Sequence, residues 1–121
     1  MLLVRAIAAA LAALAVGGCG EPAPAVEQRG GRAEIELDDF LIAPQNLRVR
    51  AGRLTFVVTN RGRLGHNFRV RGRHGDPVQI TTLLPGESGS ETVRLRRGDY
   101  KMLCTVANHE ELGMTGRLVV R

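Results

Sequence analysis

From Arg32 to the C-terminus, apolar residues return at every second position in short runs cut by Gly, Pro and Asn. Ala33, Ile35 and Leu37 alternate with Glu34, Glu36 and Asp38, and Leu47 and Val49 alternate with Arg48 and Arg50. "RLTFVVTN" consists almost wholly of strand formers, as a central strand requires. "HNFRVRG", "ETVRLRRGDY", "YKMLCTV" and "GRLVVR" complete the series. Successive strand side chains point to opposite faces, so each run buries one face and solvates the other. No helical periodicity is long enough to compete; "DPVQITTLLPGES" alone leaves room for a short helix or an irregular stretch. The pattern predicts an all-β fold, a Greek-key antiparallel sandwich of about seven to eight strands. The 15 glycines and 3% aromatics among 121 residues suit one small, turn-rich domain. So small a core would gain stability from a bound ion.

The N-terminus follows other rules. "MLLVRAIAAALAALAVGG" has an early Arg5, an apolar run from Ala6 to Val16 and small residues, the marks of a secretory signal peptide. Val16-Gly17-Gly18-Cys19 resembles the bacterial lipobox, in which the Cys becomes the lipidated first residue. A plain signal peptide containing Cys19 is the alternative. Residues 20–31, "GEPAPAVEQRGG", have tether composition. The expected organisation is signal peptide 1–18, lipidated Cys19 and tether 19–31, and a domain at 32–121. The product is exported and anchored to a membrane, facing the periplasm or the cell exterior. Lipidation would leave Cys104 without a disulfide partner. A lone thiol in an oxidising compartment is a buried core residue, a reactive group or a metal ligand.

The net charge is +5, carried almost wholly by scattered arginines. Many alternate along strands, as on a solvated sheet face; an acidic partner or anionic lipid headgroups could also dock there. No nucleic-acid partner is expected of an exported lipoprotein without aromatic platforms.

"LCTVANHEELGMTG" concentrates chemistry in one loop. Cys104 ends a strand, and Asn108, Glu110-Glu111 and Gly113 then forbid strand until "GRLVVR". A hairpin-like loop therefore presents a thiolate, the His109 imidazole and the Met114 thioether. Such soft donors favour copper; zinc rarely takes Met, and the hard cations need clustered oxygens. A further histidine must come from elsewhere. His66 opens the strand "HNFRV" and can share the loop's end of the sandwich. His74 lies in a turn about 25 Å further along a straight strand, at about 3.3 Å per residue, and is expected to be a surface residue. Met102 suits the core.

With "GHNF" ahead of "GDYKMLCTVANHEELGMTGRLVV", the segment from Arg32 to Arg121 resembles the cupredoxins, small blue-copper proteins. The shared motifs are His-Asn on a strand, Tyr-x-x-x-Cys-Thr, Cys-x4-His-x4-Met and a final Gly-x-Leu-x-Val strand. The resemblance implies one mononuclear copper ion with equatorial ligands His66, Cys104 and His109 and axial ligand Met114. It also implies that Asn67 and Thr105 tie the ligand segments together. Many members have Pro-Gly before the second His, where this chain has Ala107-Asn108.

A metal with all strong positions filled by protein leaves none for substrate, unlike catalytic sites. No separate nucleophile or acid–base constellation accompanies it. The expectation is a monomeric, non-enzymatic carrier of single electrons between redox partner proteins. A copper chaperone or copper-handling lipoprotein is the alternative, although such proteins favour Met- and His-rich open sites.

Overall fold

The computed structural model describes residues 23–121; the leader and Cys19 lie outside the described residues. Ten strands follow in order: β1 (Val26–Glu27), β2 (Arg32–Asp38), β3 (Leu41–Ala43), β4 (Asn46–Val49), β5 (Gly52–Asn60), β6 (His66–Gly72), β7 (Gly75–Leu83), β8 (Ser88–Leu95), β9 (Gly98–Leu103) and β10 (Thr115–Val120). They form two sheets, β1-β4-β10-β9-β6-β7 and β3-β2-β5-β8. Among the described residues there is no helix.

The alternation predicts the buried faces well. β2 buries Ala33, Ile35 and Leu37 while its Glu and Asp side chains face outward. β5 buries Leu54, Phe56, Val58 and Asn60 on one face. Phe56 of one sheet and Phe68 of the other lie with ring centroids 6.1 Å apart in the core. Full burial of such a side chain contributes about 1.5–3 kcal/mol.

Strand direction differs from the antiparallel expectation. β4 runs parallel to both β10 and β1, and β2 runs parallel to β5. Alternation reports which face is buried, and that period is the same whichever way the neighbour runs. The sandwich also begins earlier than Arg32. Val26 and Glu27 pair with Leu47 and Arg48, and Asn46 Nδ2 donates to the Ala23 carbonyl at 2.8 Å. This covers the otherwise open backbone edge of β4.

The stretch with room for a short helix is instead β7, nine residues long. Its alternation is disguised by a bulge: Phe68 pairs with Ile80 but His66 pairs with Leu83. One extra residue on β7 therefore moves burial from the expected Thr82 to Leu83.

Two ends of the sandwich differ in content. One gathers the last residues of β2, β5, β7 and β9 with the first of β6 and β10. The other carries the β6–β7 turn with exposed His74 and the β8–β9 turn. There the Tyr100 hydroxyl donates to the Arg96 carbonyl at 2.8 Å, a tyrosine corner that pins β8 to β9.

Candidate metal centre

β6 begins in the core at His66, whose side chain is fully buried. Cys104 lies one residue past β9, also fully buried. The chain then leaves the sheet through Ala107, whose φ of 42° is left-handed. One tight coil follows: His109 N donates to the Val106 carbonyl, Leu112 N to Asn108 and Gly113 N to Glu110. This coil turns His109 inward, leaving it 7% exposed. Two backbone bonds then close the loop on itself. Met114 N donates to the His109 carbonyl at 3.1 Å and Cys104 N to the Met114 carbonyl at 3.2 Å. The Met114 side chain is fully buried in the same core cluster as Cys104. On the outside, Lys101 Nζ donates to Glu110 Oε1 and clips the loop to β9.

These elements bring three donors together: one atom each from His66, Cys104 and His109, all within 4.8 Å of one another. His66 Nδ1 lies 3.1 Å from His109 Nδ1, and Cys104 Sγ lies 3.7 Å from His109 Nδ1. Two imidazole nitrogens on one ion, each at about 2.0 Å, stand no more than about 4 Å apart, so the observed spacing fits a single metal. Without an ion, a proton on His109 Nδ1 makes the same approach a hydrogen bond. His74 is at the far end of β6 and takes no part.

Asn67 and Thr105 link the two ligand-bearing segments. Asn67 Nδ2 donates to Thr105 Oγ1 at 2.8 Å, and Thr105 N donates to Asn67 Oδ1 at 2.7 Å. The Asn67 amide thus both donates and accepts, meeting the Thr105 hydroxyl with its nitrogen and the Thr105 backbone with its oxygen.

A second support comes from the turn between β2 and β3. Asp39 Oδ1 lies 2.8 Å from His66 Nε2. The His66 hydrogen bond, followed by the Arg63 backbone N–H, holds the Asp39 carboxyl below its ordinary range. An ionised carboxylate only accepts, so the hydrogen bond has Nε2 as its donor, and Nδ1 is the ring atom that faces His109. The next residue, Phe40, meets His109 edge-on with centroids 5.3 Å apart. Phe40 has φ 63°, and its carbonyl crowds Gly113, where an added Cβ would sit 3.2 Å from it. Neither Asp39 nor Phe40 is marked by the sequence pattern. The only signal is that "DDF" ends an alternating run with an aromatic in a turn.

Large apolar side chains stay exposed around this end: Phe40, Leu41, Leu64, Leu84 and Leu112 are 37–58% accessible. Val26 is the other such residue among those described.

No protein-family model matches the sequence, and no curated protein matches it either. Solved structures do match by shape. A reduced auracyanin from Roseiflexus castenholzii superposes with TM-score 0.71 at 19% identity, over 78% of this chain and 99% of that one. Rusticyanin from Thiobacillus ferrooxidans gives 0.66 at 15% identity, over 80% and 82%. A purple cupredoxin from Nitrosopumilus maritimus gives 0.56 at 20% identity, over 74% and 99%. With a two-sheet sandwich and buried His, Cys and His donors at one end, the chain has the cupredoxin fold.

Proposed function

We propose that the protein is a blue-copper electron carrier, exported and tethered to a membrane through lipidated Cys19. His66, Cys104, His109 and Met114 are the residues that would hold the ion. The observation that carries this is the closed, buried donor set, with one atom each from His66, Cys104 and His109 within 4.8 Å. A thiolate beside two imidazoles and a buried Met favours copper over zinc. Copper held there supplies a Cu(I)/Cu(II) couple. The chain's own residues provide the rest. Two sheets and the Asn67–Thr105 link hold the donors in place, which limits rearrangement between oxidation states. Burial excludes water from the thiolate.

His109 is the least enclosed of the three donors, and the apolar rim of Phe40, Leu64 and Leu112 surrounds its loop. An exposed apolar surface of this kind suits the small, short-lived interfaces of redox encounters, so this end is the exit and entry point for electrons. The filled donor set argues for a carrier rather than an enzyme.

The test is to add Cu(II) to the full-length protein and record its visible spectrum and redox behaviour. Strong thiolate-to-copper absorption with reversible cycling is the expected result. A colourless site that readily gives up Cu(I) to a chelator would replace the carrier by a copper-handling lipoprotein. Mass analysis of the membrane-extracted protein checks the acyl chains on Cys19.

A further inference from the structure

Asp39 lies in the turn between two strands of the sheet that carries none of the three donors, yet it reaches the fully buried His66. Among the described residues, it is the one side chain outside the donor set that hydrogen-bonds a ring nitrogen of His66 or His109. It is itself held firmly. Arg63 N–H donates to both carboxylate oxygens at 3.1 and 3.0 Å, and Leu64 N–H donates to Oδ1 at 3.2 Å. Those N–H groups lie in the β5–β6 loop, which buried Asn60 anchors. Asn60 Nδ2 donates to the Leu64 and Leu83 carbonyls, and Oδ1 accepts from Gly62 N–H. The loop is also shaped around the pair. A Cβ on Gly62 would collide with Asp39 Oδ1 and stand 3.0 Å from His66 Nε2. Space, backbone donors and a buried amide therefore converge on one carboxylate–imidazole contact.

We propose that Asp39 is a positioning residue for the metal ion. Its carboxylate keeps the His66 proton on Nε2, points the Nδ1 lone pair at the site, and lends the ring negative charge that favours the oxidised ion. Hydrogen-bonded carboxylates are known to orient metal-bound histidines and raise their basicity. Cu(II) carries one more positive charge than Cu(I), so a nearby negative charge stabilises it more. The last step rests on the proposed copper function; the orientation of the ring does not.

Two variants separate geometry from charge. In Asp39→Asn the amide oxygen accepts the same hydrogen bond without the charge. Copper binding should persist while the ratio of Cu(II) to Cu(I) affinity falls about tenfold, read as a midpoint potential about 59 mV higher. Asp39→Leu loses bond and charge together, and Co(II), used as a probe metal, should bind about 10–100-fold more weakly. Nitrogen NMR of the metal-free wild type should find the neutral His66 ring protonated on Nε2, and in Asp39→Leu that preference should weaken. A potential unmoved or lowered in Asp39→Asn overturns the charge effect. A wild-type ring protonated on Nδ1, or undiminished Co(II) affinity in Asp39→Leu, overturns the positioning role. Wild-type protein that takes up no copper refutes the proposed function instead, and the ring tautomer and Co(II) affinity still decide the role of Asp39.

Discussion

Two short segments meet at the candidate site and contribute in opposite ways. The Cys104–Met114 loop brings chemistry: a thiol, an imidazole and a thioether, closed by two backbone bonds. The Asp38–Leu41 turn, on the other sheet, brings constraint. Asp39 fixes one histidine through a hydrogen bond and Phe40 packs against the other. Each segment also carries one non-glycine residue in left-handed backbone, Ala107 and Phe40. In the loop that conformation turns the chain so that His109 faces inward. In the turn it aims a ring at His109. The loop thus supplies two of the three clustered donors and β6 the third, while their support draws on both sheets.

The sharpest break of this comparison removes a donor. Cys104→Ser should abolish the thiolate-to-copper absorption completely while circular dichroism still reports a β-sandwich, because Ser fills nearly the same buried volume. A variant that keeps the band would take Cys104 out of the ligand set. Next comes the link between the two ligand segments. Asn67→Ala loses two hydrogen bonds, each contributing about 0.5–1.5 kcal/mol net. A loss of about 1–3 kcal/mol is expected, measurable by urea unfolding.

The two left-handed residues give a smaller contrast. Ala107→Gly relieves a backbone cost of about 1–2 kcal/mol and adds about 0.5–1 kcal/mol of unfolded-chain entropy; a net gain of about 0.5 kcal/mol is expected. Phe40→Gly gains the same relief but gives up an aromatic contact worth about 0.5–1.5 kcal/mol, so it should stabilise less than Ala107→Gly, or destabilise. Equal effects in thermal unfolding would mean that the Phe40 ring contributes nothing.

The smallest effect at the site belongs to the opposite end. Asp76 accepts from Arg71 Nε at 2.9 Å and from Arg69, and the Arg71 hydrogen bond is the main reason its carboxyl titrates lower than usual. A lowered folded-state value means stability that is present at neutral pH and lost as pH falls through that value. Wild type should therefore exceed Asp76→Asn in stability at neutral pH and converge with it in acid, below the ordinary carboxylate range. The copper spectrum should not move at all. A shifted spectrum would show that the two ends are coupled.

Much of the site was legible because its information is contiguous. Cys104 and His109 sit within one loop, and the strand alternation on either side marks where that loop begins and ends. The choice of His66 over His74 needed only the length of one strand. Asp39 was not legible, since it stands 27 residues from His66 and on another sheet. An Asp at a strand end reads as an ordinary turn residue until the sheets are stacked. The β7 bulge was hidden for a related reason: an extra residue breaks the period that sequence analysis relies on.

By itself, the sequence determined the burial pattern of the strands, the soft donor set and the loop that carries most of it. Those follow from side-chain chemistry and from the period-2 geometry of a strand, both properties of neighbouring residues. Tertiary structure alone decided strand direction, the entry of Val26–Glu27 into the sheet and the contact between Asp39 and His66. Each depends on which distant backbone lies alongside, and that is settled only when two sheets bury their apolar faces against one another.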